Sequence, residues 1–161
     1  SLDLDDSFSQ SHYNYGMFLM QNKRYKEATK HLKIASEDVD YQQRGQAAQN
    51  LGLSYYLSRD VYSAITTYKK ILKQQRFNAA VLVNLSTILF ERGRRAEAQQ
   101  YYDRFIRLVA RNQSEHTANS LWLGIILARV HNNNEDVEKF AYELKTSFPD
   151  STEYERYLDS R

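Results

Sequence analysis

Cysteine is missing altogether from the chain, so neither a disulfide nor a thiolate nucleophile is available to it. That absence leaves the compartment open, because a periplasmic protein need not use disulfides. Proline occurs once, at Pro149, and glycine only five times, too few for the turns of an all-β fold. No apolar run approaches the roughly 18 residues of a membrane span. The best candidate, LWLGIILARV (Leu121–Val130), stops at Arg129-Val130 and reads as a buried helix. Neither sign of charge dominates: 22 Lys and Arg are scattered among 20 Asp and Glu. The basic stripe of a nucleic-acid binder is therefore missing, and no nucleic-acid partner is expected.

What is present favours helix. Ala, Leu, Gln, Glu, Lys and Arg abound in the 161 residues, enough chain for a sizeable core. The opening SLDLDDSFSQ has no signal-peptide pattern, and residues 1–7 read as a polar linker stub. Beyond it the chain repeats. Gly16 and Gly52 follow Tyr15 and Leu51; twelve residues later stand Ala28 and Ala64, then Leu32 and Tyr68, then Ala35 and Ile71. Moved on 34 residues, the frame lands on Leu85-Ser86, Ala98, Tyr102 and Phe105. It fits again at Leu123-Gly124 with one inserted residue in HNNNED, giving Val137, Ala141, Leu144 and Pro149.

These offsets are those of the tetratricopeptide pattern, a 34-residue unit of two antiparallel helices, A and B, that bury their faces only by stacking. Glycine costs a helix interior about 0.5–1 kcal/mol. The close A–B approach allowed by Gly16, Gly52, Ser86 and Gly124, facing Ala28, Ala64 and Ala98, offsets that cost. The expected fold is all-α, a right-handed superhelix of four helix pairs over residues 8–161, with repeats near 8–40, 41–76, 77–112 and 114–149. Helix A is expected near 8–22, 42–58, 77–92 and 115–131, and helix B near 24–37, 60–74, 94–111 and 135–147. A short helix at 151–159, capped by Asp150 or Ser151, would cover the end of the stack.

Enzymatic chemistry finds no constellation. His12, His31, His116 and His131 read as mutually distant, His31 on an exposed B-helix face, and none has an i+4 partner for zinc. No Gly-rich phosphate loop exists, and SEHTANS reads as a helix start capped by Ser114. ERGRRAEAQ (Glu91–Gln99), the most basic local cluster, reads as a solvated A–B turn. The chain is expected to be non-enzymatic, with no catalytic residue, metal, cofactor or small-molecule substrate.

In such a stack the A helices line the concave side. Their outward positions are Tyr13, Met17 and Met20; Gln49, Leu53 and Tyr56; Val83, Thr87 and Phe90; and Leu121, Ile125 and Ala128. This apolar, aromatic face with two adaptable methionines suits an amphipathic helix or extended apolar segment of a protein partner. Tyr13, Met17 and Ala80 stand where chaperone-binding repeats carry Lys and Asn, with only Asn50 and Asn84 polar, so capture of an acidic tail is disfavoured.

Several segments go beyond the general repeat: NYGMFLMQNKRYKEA (Asn14–Ala28), NLGL (Asn50–Leu53), QQYYDRF (Gln99–Phe105), SLWLGIILARV (Ser120–Val130) and FPDSTEYERY (Phe148–Tyr157). Together they resemble the PilF/PilW-type pilotins of type IV pilus biogenesis from about Tyr13 to Tyr157. The resemblance implies a bacterial outer-membrane lipoprotein whose repeats lie in the periplasm. It would promote localisation and multimerisation of the pilus secretin, touching the membrane only through a lipid anchor absent from this sequence. Proteins of this family typically have about six repeats and a lipidated Cys, against the four repeats here. The alternative from another class is a cytoplasmic scaffold or co-chaperone on the same repeats.

Overall fold

The computed structural model describes residues 2–161, with side chains from Ser7 onward. Nine α-helices and no strand occur among the described residues. In order they are α1 (Leu2–Gln21), α2 (Tyr25–Glu37), α3 (Arg44–Leu57), α4 (Val61–Gln74), α5 (Ala79–Glu91), α6 (Arg95–Ala110), α7 (Ala118–Val130), α8 (Asn134–Ser147) and α9 (Thr152–Asp159). Odd-numbered helices α1 to α7 are the A helices of the expected pairs and even-numbered ones the B helices. One boundary moves: α1 reaches back to Leu2, through most of the stretch expected as a polar linker. Ser1 and the side chains of residues 2–6, part of that expectation, lie outside the described residues. The chain divides into two compact units, one ending at Val81 and the other beginning at Leu82, a boundary inside α5.

Packing explains the small residues of the A helices. A Cβ on Gly52 would stand 2.5–2.9 Å from the ring of Tyr68, and one on Gly16 2.8–2.9 Å from the side chain of Leu32. One on Gly124 would meet Phe140 at 2.9 Å. In the third pair Ser86 replaces glycine, and its buried hydroxyl donates to the Ala98 carbonyl of the facing helix at 2.7 Å. That bond satisfies a group that would otherwise be costly to bury. Ala28, Ala64 and Ala98 are fully buried.

Each A–B turn closes the same way. Lys23, Arg59, Gly93 and Asn132 adopt positive φ, from 54° to 76°. The next residue's N–H then reaches back five residues: Arg24 to Leu19, Asp60 to Tyr55, Arg94 to Leu89 and Asn133 to Ala128, all at 2.9 Å. This is the bonding of a left-handed helix end, which satisfies carbonyls the helix leaves open. The inserted residue of the fourth pair lies ahead of Asn132. Counted from the turn, small Ala141 takes the place of Leu32, Tyr68 and Tyr102, while Phe140, one residue earlier, fills the space beside Gly124.

The N-caps match expectation at Ser151, which accepts from the Tyr154 N–H, while Asp60 caps α4 by accepting from the Ser63 N–H. They differ at α7. Thr117, not Ser114, is the cap, in a reciprocal box with Ser120.

Candidate functional site

In the first unit the residues expected on a partner face lie on α1 and α3. Ser9, Gly16 and Leu19 are the buried stripe of α1. Tyr13, Met17 and Met20 flank it, half-buried against a cluster of Leu19, Ala28, Leu32 and Leu51. Tyr13 also packs on Ala35, Tyr41 and Ala47, and its hydroxyl receives the Asn50 side-chain amide at 3.2 Å. Gln49, Leu53 and Tyr56 on α3 are half-buried as well. These six side chains therefore contribute to the core with one part and offer the other to solvent.

In the second unit most of the expected face is core. Val83 is 7% exposed and Leu121 and Ile125 are fully buried, leaving Thr87 and Phe90 half-exposed. Ala128 is buried too. The reason is composition: α5 and α7 are apolar round most of their circumference and bury most of it, and on α7 only Trp122, Ile126 and residues at its two ends stay half-exposed. Arg95 lies over the Phe90 ring, 6.0 Å from its centroid.

Two features were not foreseen. Phe8, Tyr15 and Phe18 form an aromatic stripe on the other flank of α1, exposed at 60%, 44% and 52%. Its signal was available, since the three recur at helical spacing in SFSQSHYNYGMF. The second is a correction: His12 and His31 are not distant. Their Nδ1 atoms lie 2.8 Å apart across α1 and α2, with Phe8 edge-on to His12 and Tyr15 edge-on to His31. His31 is thus half-buried rather than exposed, and burial together with the His12 ring lowers its pKa. His116 sits between the rings of Phe105 and Phe140, with Nδ1 2.9 Å from Ser120 Oγ. No group of three or more metal-ligating side chains occurs among the described residues. Residues 91–96 of the basic cluster are exposed, and Arg94 pairs with Glu97 at 2.6 Å. That is a surface ion pair worth little to stability. What this chemistry supports is non-covalent contact through apolar and aromatic surface.

Comparison with known proteins agrees with this architecture. A tetratricopeptide-repeat family model matches residues 80–109. The type IV pilus assembly protein PilF of Pseudomonas aeruginosa is 33% identical over 144 residues, covering 89% of this chain and 55% of the relative. The chain thus spans about half the length of that curated relative. The solved structure of Pseudomonas aeruginosa PilF superposes with a TM-score of 0.79 at 31% identity, over 95% of this chain and 67% of the other. PilW, described as a widely conserved type IV pilus biogenesis factor, shares the fold at a TM-score of 0.75 and 22% identity, over 93% of this chain and 67% of the other.

Proposed function

The chain belongs to the PilF/PilW family of tetratricopeptide-repeat factors of type IV pilus biogenesis, and we propose that within it the chain acts as a non-enzymatic docking module for the pilus secretin. In this reading it promotes placement and multimerisation of the secretin at the outer membrane. It works from the periplasmic face, held there by a lipid anchor on the full-length protein. No helix among the described residues is long and apolar enough to cross a membrane, so membrane attachment through a separate anchor accords with the fold.

One observation carries the reading: the likeness to PilF runs through nearly the whole chain rather than through the repeat signature alone. Half-exposed, mostly apolar side chains of the A helices supply contact surface in each unit: Tyr13, Met17, Met20, Leu53 and Tyr56 with polar Gln49 in the first, and Phe90 with polar Thr87 in the second. Exposed apolar surface of this kind marks partner sites. Tyr56→Ser and Phe90→Ser, made singly and together in the full-length protein, test it in cells. Secretin multimers on a non-denaturing immunoblot are expected to fall several-fold in the double variant while its helical circular dichroism is retained. Wild-type multimer levels from a folded double variant would remove the A-helix face as the site.

A further inference from the structure

A cavity of about 430 Å³ opens within the second unit, between α6 and α8, with α7 and its Gly124 as the floor. Its walls are apolar where Ile106 and Leu127 line it, and three carboxylates, Asp103, Asp136 and Glu143, stand around it. Against them the lining holds one ammonium, Lys139, and the imidazoles of His116 and His131. None of the three carboxylates is in an ion pair among the described residues. Asp103 accepts from the Gln99 side-chain amide at 2.8 Å and Asp136 from that of Asn133 at 2.7 Å, both neutral donors. The Tyr102 hydroxyl donates to the Ser120 carbonyl at 2.9 Å; burial pushes its pKa far up, and Asp136, Glu143 and Asp103 push it in the same direction.

An apolar wall under a net negative rim has a chemical complement, a side chain with an apolar stem and a cationic head. We propose that this cavity is a docking pocket for an arginine side chain presented by a protein partner. The methylene stem lies along Ile106 and Leu127, and the guanidinium meets Asp103, Asp136 and Glu143. Arginine fits better than lysine because its planar, weakly hydrated head can bridge several carboxylates at once. Buried arginines are frequent anchors of protein interfaces. The pocket uses none of the residues in the secretin test, so the two readings stand or fall separately.

The test uses the whole chain and two capped amino acids, N-acetyl-arginine amide and its neutral isostere N-acetyl-citrulline amide. Both are titrated while amide resonances are followed by NMR. Arginine is expected to shift Gly124, Leu127 and Ala128 and to bind at least threefold more tightly than citrulline. The preference should shrink as salt is raised, as a screened attraction does. Asp136→Asn/Glu143→Gln, checked as folded by circular dichroism, should abolish it. Equal binding of citrulline, a preference that survives in the folded double variant, or shifts that bypass these residues would each overturn the proposal.

Discussion

At the scale of single residues, the glycines are distinguished by what faces them. Gly52 has the Tyr68 ring where a Cβ would go, and Tyr68 is 1% exposed with nowhere to retreat. Gly45, in the first turn of α3, has only the mobile end of Gln75 at 3.4 Å. Gly52→Ala should therefore lose about 2 kcal/mol through overpacking, while Gly45→Ala should gain about 0.5 kcal/mol from helix propensity. Urea denaturation separates the two, and equal effects would contradict the assigned contacts. His116 makes a pH-dependent contribution. Burial lowers its pKa, with Lys139 acting in the same direction and Glu143 opposing, so the folded value lies below the roughly 6.5 of the unfolded chain. Above about pH 6.5 the imidazole is neutral in both states and its contribution is fully present. As pH falls below that, the unfolded chain takes up the proton first and stability declines until the folded-state value is passed. His116→Asn should flatten part of the fall in urea midpoint between about pH 7.5 and 5.5. An unchanged slope would place the effect elsewhere, His31 being the next group whose pKa is lowered.

At the scale of helices and turns, the four A–B corners share one backbone solution with different residues in it. Glycine occupies the left-handed position only at Gly93, whereas Arg59 holds φ at +71° with a side chain that disfavours it. Arg59→Gly should raise stability by about 0.5–1 kcal/mol, read as a higher urea midpoint, and a loss would mean that the side chain contributes more than its backbone costs. Helix order and turn positions were legible because apolar period and small-residue spacing repeat. The cap of α7 was not, since Ser114 and Thr117 each carry a hydroxyl with a second hydroxyl residue three positions on, and only the start of the helix at Ala118 separates them. Nor was the His12–His31 pairing, which depends on the rotational phase of two helices about each other. Val83, Leu121 and Ile125 were placed on a partner face because a helix apolar on all sides gives no phase from which to read its exposed edge.

At the scale of the whole molecule, each of the two units carries a distinct kind of unsatisfied surface. The first offers aromatic and apolar groups on α1, Phe8, Tyr15 and Phe18 on one flank and Tyr13, Met17 and Met20 on the other. The second has withdrawn most such groups into its core and offers the acidic cavity instead. Binding energy measured on the intact chain is therefore expected to divide by chemistry. Salt should weaken contacts made by the second unit's acidic cavity and leave those of the first largely unaffected. The net charge of +2 hides this asymmetry.

The second unit ends in a ring stack. Arg129 lies 6.0 Å from the Trp122 ring centroid and 5.7 Å from that of Tyr157 on α9, and it donates to Ser160 Oγ at 2.9 Å. Trp122 is the single indole of the chain. Emission excited at long wavelength is thus an optical reporter written into one half of the protein. It watches α7 and the closing helix through their shared arginine.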